Sequence, residues 1–362
     1  MKKEEILREE VLKVPVYKTE DLLYRMMERK AVKLDLNENL GIEENFLREL
    51  LVSAFEDVDV RLYPPPHGML AVRAISKFYG FSEDMVAVGN GSDELLDSIA
   101  KTFVRKESNV LIVEPTFPIY EFAVKLYGGN TIKIFLEPNF ELNVEKILEW
   151  NGKASLLFLC SPNNPTGNQF RKEYVKALLE GFDGLIVVDE AYVEFAKYSV
   201  SEWTKNFDNV IVLRTFSKAF GLAGIRAGFA VSNPPIIKYL RRVVHPFHLN
   251  TLTQKIVASA LQNWKYFKEK IDYIVKEREW LFKELKAIEG VTPYPSDANF
   301  ILFRIAKKGL ASSAVARKLL DRKIFVKDRG MFPLLENCIR VTVGTREMNR
   351  IFIDNLREVL KE

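Results

Sequence analysis

The sequence predicts an α/β protein built on a mostly parallel sheet, with a smaller α+β domain attached. Three observations predict it. Five short apolar runs recur before residue 215, each followed by a helical pattern; the unusual polar residues cluster just after those runs; and the texture of the chain changes near residue 235. The runs are residues 85–88, 110–113, 156–160, 185–188 and 210–213. Runs this short, without polar alternation, suit strands buried on both faces, and their alternation with helices makes βαβ units. Ligands of such sheets sit beyond the carboxyl ends of the strands. The five runs deliver Ser92, Phe117, Asn164, Asp189 and Lys218 to one rim. Polar loops follow strands as a rule, which accounts for one or two of these residues but not for the set.

The second domain begins at the Pro234-Pro235 break. A charged amphipathic helical stretch is expected over roughly 250–289, then strands at 299–305, 324–327 and 338–343, then a final helix with Thr345 at its N-cap. The large domain is expected over 36–235. The smaller one is expected to combine 236–362 with residues 1–35, whose opening MKKEEILREEVLKV is charged and helix-prone.

A chain of 362 residues is long enough for one large and one small domain. The net charge of +4 is small, and the basic residues alternate with acidic ones, which argues against a nucleic-acid partner. No apolar run approaches the ~18 residues of a membrane span, and the N-terminus lacks the apolar core of a signal peptide. Cys160 and Cys338 lie in apolar runs and are read as reduced, buried thiols of a cytoplasmic protein. His67, His245 and His248 have no metal-ligand spacing, so no metal site is expected.

The rim residues carry chemistry. Lys218 lies in TFSKAFGLAGIRAGF, just past a buried strand; burial lowers a lysine pKa and frees the amine to form an imine. Thr215 and Ser217 precede it and Arg226 follows, the hydroxyls and guanidinium that a phosphate needs. Asp189 ends the run LIVVD and requires a cationic or donor partner; taken alone it reads as a structural carboxylate. Tyr192 could reach the same ligand from one helical turn away. GNGSDE at 89–94 opens a helix whose free N–H groups suit an anion, with Ser92 or Asp93 doubling as N-cap. SPNNPTG at 161–167 is a rigid turn presenting Asn164. Together these meet the needs of pyridoxal phosphate: an amine for its aldehyde, a carboxylate for its ring nitrogen, donors for its phenolate, an aromatic plate and an anion cradle.

With those residues in hand, the chain resembles the fold-type-I aminotransferases that use pyridoxal phosphate, and within them the histidinol-phosphate aminotransferase family. The matching stretches are LDLNENLG (34–41), RLYPPP (61–66), GNGSDEL (89–95), EPTFPIY (114–120), SPNNPTG (161–167), VVDEAYVEF (187–195), RTFSKAFGLAGIRAGF (214–229), ANFILF (298–303) and RVTVGT (340–345). The resemblance implies a seven-stranded sheet in the large domain. It implies that Lys218 holds the cofactor as a Schiff base and moves the proton between the substrate's Cα and C4′. Asp189 is then the partner of the pyridine nitrogen, Tyr192 and Asn164 donate to the phenolate oxygen, and Phe117 stacks on the ring. Ser92 and Asp93, through the helix start, form the phosphate cradle with Ser217 and Arg226. Tyr63 reaches the phosphate of the neighbouring subunit, which implies a homodimer. Asn39, Lys327, Arg329 and Arg340 face the substrate, Arg340 as the anchor of its anionic group.

Departures from the family pattern are Lys327 where an arginine is expected, NENL for NENP, YPPP for YPDP, and His248 near an expected asparagine. The implied reaction is amino transfer from L-histidinol phosphate to 2-oxoglutarate in histidine biosynthesis. Aromatic amino-acid transamination and decarboxylation of threonine phosphate are the alternatives that the same anchors admit.

Overall fold

The computed structural model describes residues 7–14, 30–307 and 309–362. Its strands are β1 (Val32–Lys33), β2 (Val86–Gly89), β3 (Asn109–Glu114), β4 (Asn130–Phe135), β5 (Leu156–Cys160), β6 (Leu185–Asp189), β7 (Val210–Thr215), β8 (Gly228–Val231), β9 (Val291–Pro293), β10 (Phe300–Ile305), β11 (Ile324–Phe325), β12 (Lys327–Asp328) and β13 (Cys338–Thr342). Seven of them form one sheet in the order β2-β8-β7-β6-β5-β3-β4. All of its pairings are parallel except those of β8, which runs against both neighbours.

The unalternating apolar runs have a direct cause. On β3, Leu111 and Val113 face one core with Val175 and Leu178 of the helix Lys172–Gly181, while Val110 and Ile112 face a second core. That second core is built with Leu95, Leu96 and Ile99 of the helix Gly91–Phe103. Both faces are covered, so every position must be apolar.

The second sheet is antiparallel, ordered β12-β13-β10-β9, and β1 pairs with β11 in a two-stranded parallel ribbon. The expected strand 324–327 is therefore divided between two sheets, with Val326 at the crossing. The expected helical stretch over 250–289 is likewise two helices, Thr251–Gln262 and Trp264–Lys286, broken at Asn263. Asn250 caps the first, accepting the Thr253 N–H at 2.8 Å. Thr251–Gln262 packs on Met69–Tyr79 and Glu44–Phe55. The final helix, Arg346–Val359, has Thr345 at its N-cap, as expected.

Residues 1–6 and 15–29 of the N-terminal segment lie outside the described residues. The described parts go to different places. Glu9–Lys13 lies against the helix Ile119–Leu126, where Arg8 donates to the Leu126 carbonyl at 2.8 Å, whereas β1 joins β11. Among the described residues no helix is long and apolar enough to cross a membrane.

Candidate active site

The strands of the parallel block end at a common rim, and a cavity of about 220 Å³ lies there, with β12 and β13 contributing to its wall. β5 and β6 bring Cys160 and Asp189 opposite one another in register. Asp189 is buried. Its Oδ1 accepts the Ala191 N–H at 3.0 Å and its Oδ2 accepts the Tyr120 hydroxyl at 2.7 Å. Burial pushes this carboxyl up to about 6, against the effect of those two bonds.

Lys218 stands on the loop after β7, and its Nζ donates to the Leu36 carbonyl at 2.8 Å. Burial, assisted by the Arg340 guanidinium, brings the amine down to about 8. The loop is held from behind. Gly221 has φ 61°, and a Cβ there would sit 2.7 Å from Ile42 and 3.0 Å from the Asn39 carbonyl. Asn39 donates to the Ala219 carbonyl at 2.9 Å and accepts the Gly41 N–H at 3.1 Å. Asn39, expected at the substrate, is not among the residues that line the cavity; it ties residues 39–41 to the lysine loop.

The helix Gly91–Phe103 begins at the cavity. Asn90 occupies the N-cap position, so Ser92 and Asp93, expected as caps, lie instead in the first turn, where both line the cavity. Arg226 adopts the left-handed region at φ 51°, a conformation that costs about 1 kcal/mol or more and persists when surroundings enforce it. It donates to Asp93 Oδ2 at 2.8 Å and to Ser217 Oγ at 3.3 Å. The fit is close: a Cβ on Gly91 would meet Arg226 Nη2 at 2.5 Å, and one on Gly228 would meet the Ser92 backbone nitrogen at 2.5 Å. Because backbone, not a mobile side chain, faces Gly228, Gly228→Ala is expected to cost about 1–3 kcal/mol and to weaken cofactor retention. Thermal melting of the apo protein and equilibrium dialysis with the cofactor check this; parental values in both would show that the strand and helix have room to separate.

Two loops meet through Asn163, which donates to the Pro115 carbonyl at 2.9 Å and accepts from Thr116 Oγ1 at 2.9 Å. They set Phe117 and Asn164 in the same cavity wall. Arg340 donates to Asn164 Oδ1 at 2.7 Å, which leaves the amide nitrogen as the donor end of Asn164. Tyr192 accepts from Asn37 Nδ2 at 3.1 Å, so its own proton is available to an acceptor in the cavity. A turn brings Tyr192 there rather than a helix: the short 3-10 segment begins only at Val193. Lys327 and Arg340 are cross-strand partners, and Arg329 follows two residues on; all three line the cavity.

Of the residues expected at the site, Lys218, Asp189, Asn164, Tyr192, Phe117, Ser92, Asp93, Thr215, Ser217, Arg226, Lys327, Arg329 and Arg340 share this one cavity. Tyr63 does not; it is 81% exposed and stacks on Phe247 with centroids 4.8 Å apart. Sequence reasoning missed Tyr120, Asn37 and Asp35, and read Cys160 only as an inert core thiol, although it lines the cavity. Tyr120 and Asn37 carried a signal in retrospect, since both lie inside matched stretches, EPTFPIY and LDLNENLG.

The residues present suit pyridoxal phosphate. A partly neutral amine and a buried carboxylate that has no cation hydrogen-bonded to it among the described residues share the cavity. So do two hydroxyls, an arginine and a helix N-terminus, pressed together where no Cβ would fit.

The sequence profile of aminotransferase class I and II matches residues 29–356. The histidinol-phosphate aminotransferase of Caldanaerobacter subterraneus subsp. tengcongensis is 36% identical over 360 residues, covering 99% of each chain. That of Thermoanaerobacter pseudethanolicus is 35% identical over 360 residues, again covering 99% of each. The crystal structure of the Sinorhizobium meliloti histidinol-phosphate aminotransferase, in complex with pyridoxal-5'-phosphate, superposes with a TM-score of 0.89 at 26% identity, over 98% of each chain.

Proposed function

Because this chain belongs to the class I and II aminotransferases and is a pyridoxal-phosphate-dependent enzyme, we propose that it transfers the amino group of L-histidinol phosphate to 2-oxoglutarate, in histidine biosynthesis in the cytoplasm. The observation that carries this reading is the cation set Lys327, Arg329 and Arg340, which lines the same cavity as Lys218 and Asp189 and comes from β12, the residues after it and β13, whereas Arg226 lies between β7 and β8. One cradle suits the cofactor's phosphate; the second set suits an anionic group on the substrate.

The cofactor supplies an aldehyde that takes the amino group and a ring that accepts the electron pair released at the substrate's Cα. The chain's own residues do the rest under this reading. Lys218 Nζ, neutral in part near pH 8, accepts the Cα proton and returns it one carbon away. Asp189 keeps a negative charge at the ring nitrogen. Asn164 and Tyr192 would donate to the phenolate and Phe117 would lie against the ring, while Ser92 and Asp93, through their backbone N–H groups at the helix start, would hold the phosphate with Thr215, Ser217 and Arg226. Lys327 and Arg329 receive the substrate's phosphate with Arg340. Lys327 offers a point charge where an arginine would offer a fork, so Arg329 carries the bidentate contact.

The reading extends to a homodimer in which Tyr63 serves the partner's cradle. The exposure of Tyr63, with Val60 and Leu62 beside it at 75% and 68%, supports that. It also proposes a large domain over 36–235 and a small one from 1–35 and 236–362, with the segment Glu9–Lys13 lying against the large domain's helix Ile119–Leu126.

With 2-oxoglutarate as acceptor, kcat/KM for histidinol phosphate is expected to exceed that for phenylalanine by at least about a hundredfold, the worth of two charge-assisted hydrogen bonds at about 1.4 kcal/mol per factor of ten. Equal values would transfer the assignment to aromatic amino acids, and release of CO₂ from threonine phosphate would make the enzyme a decarboxylase.

A further inference from the structure

We propose that Tyr120 is a positioning residue of the reaction: its hydroxyl, donating to Asp189 Oδ2 at 2.7 Å, holds that carboxylate ionised and aimed at the cofactor's ring nitrogen. The proposal rests on the assignment of Asp189 to that nitrogen.

Tyr120 lies on the first turn of the helix Ile119–Leu126 and has no exposed surface. Its ring is fixed on two sides. It stacks on Phe158 of β5 with centroids 5.1 Å apart and planes 5° apart, and Phe117 meets it edge-on at 5.7 Å. A buried phenol must place its proton on some acceptor. Here that acceptor is a carboxylate facing the cavity.

The carboxylate needs the help. Burial raises it, and the charges of Asp93 on the adjoining helix and of Glu190 next in the chain raise it further. Tyr120 and the Ala191 N–H oppose them. Cys160 on β5 and Tyr192 on the turn after β6 also face it, and burial holds the thiol and both phenols protonated near neutrality. Lys218 and Arg340 line the same cavity as the nearby cations. Two fixed donors on two different oxygens therefore set both the charge and the direction of the remaining lone pairs. A carboxyl that kept its proton could not balance a protonated ring nitrogen, so the hydroxyl of Tyr120 acts on the reaction through Asp189.

Tyr120→Phe keeps the ring and its stacking and removes only the donor. In the apo protein, the bend in unfolding stability near pH 6 is expected to move up by about one pH unit. In the holoenzyme, kcat is expected to fall about tenfold or more with KM for the amino donor little changed. On an Asp189→Asn background the same substitution is expected to lower kcat no further. A bend that stays near pH 6 with kcat unchanged would overturn the proposal, as would a full additional loss in the double variant, since the hydroxyl would then act elsewhere. Asp189→Asn with parental activity would remove the underlying assignment instead, whatever Tyr120→Phe does.

Discussion

Lys218→Ala is expected to lower the transamination rate by at least about 10⁴-fold, the upper range of what one positioned acid–base group contributes, while leaving the chain folded. The amine is set apart by its place in the fold. It sits where burial and the Arg340 charge bring it from 10.5 down to about 8, so that near neutral pH part of the population is a nucleophile and a proton acceptor. Nothing else in the cavity wall combines those two properties: Lys327 is an amine of β12, in the other sheet, and the neighbouring hydroxyls of Thr215 and Ser217 sit among cradle groups. The same geometry predicts the pH profile of labelling. In the apo protein, acylation of Lys218 by an amine reagent, followed by peptide mapping, is expected to be half-maximal near pH 8. Single-turnover rates measure the first effect. A residual rate within about tenfold of the parental one would place the proton transfer on another group.

The reach of sequence reasoning follows from what fixes each element. The strands β3, β5, β6 and β7 are legible because burial on both faces removes polar alternation, and the residue that follows each strand is placed by chain order alone. β4 is not legible. As an edge strand it buries only Ile134 well and leaves Asn130, Lys133 and Phe135 exposed, so NTIKIF lacks the unbroken apolar run that marks its neighbours. β8 is four residues, and its opening Gly228 is there for the close approach to Ser92 rather than for strand propensity. The division of residues 324–328 between β11 and β12 depends on two partners distant in sequence, β1 and β13, which no local pattern encodes.

Within the site the same distinction holds. Asp189, Asn164 and Lys218 follow buried strands and are found by position. Tyr120 reaches the cavity from the helix Ile119–Leu126, and Asn37 from the bend after β1, where its φ is 56° and it is tied to Thr342 and Asn299, so both depend on tertiary packing. Asn39 shows the converse. It lies in a matched stretch, yet its bonds go to the backbone that shapes the lysine loop, which gives a structural reason for an asparagine there without contact to a ligand.

Asp189→Asn is expected to reduce turnover by about a thousandfold, in the range found for loss of one preorganised electrostatic partner, and at the same time to stabilise the apo protein. The second effect has a definite sign. The carboxyl ionises at 3.8 in a model peptide and at about 6 in the fold, so between those values the folded state holds a proton that the unfolded chain has released. Stability is then fully present below 3.8 and is lost as the pH rises through 6. Two pH units correspond to about 3 kcal/mol at neutral pH. An amide at this position carries no charge to desolvate, and it can still pair with its neighbours: its oxygen accepts the Ala191 N–H, and its NH₂ donates to a Tyr120 hydroxyl turned to accept. Apo Asp189→Asn should therefore melt higher than the parent at pH 7 to 8, and the two should converge as the pH falls toward 4. Binding of the cofactor reverses the order, because a protonated ring nitrogen stabilises the carboxylate and not the amide, and any ligand held more tightly by the parent raises the parent's stability more. Melting temperatures of both proteins, with and without cofactor and across that pH range, test the argument. A variant less stable than the parent in the apo form at pH 8 would mean that Asp189 is held by a cation of the protein itself and is a structural carboxylate, not the partner of a ligand.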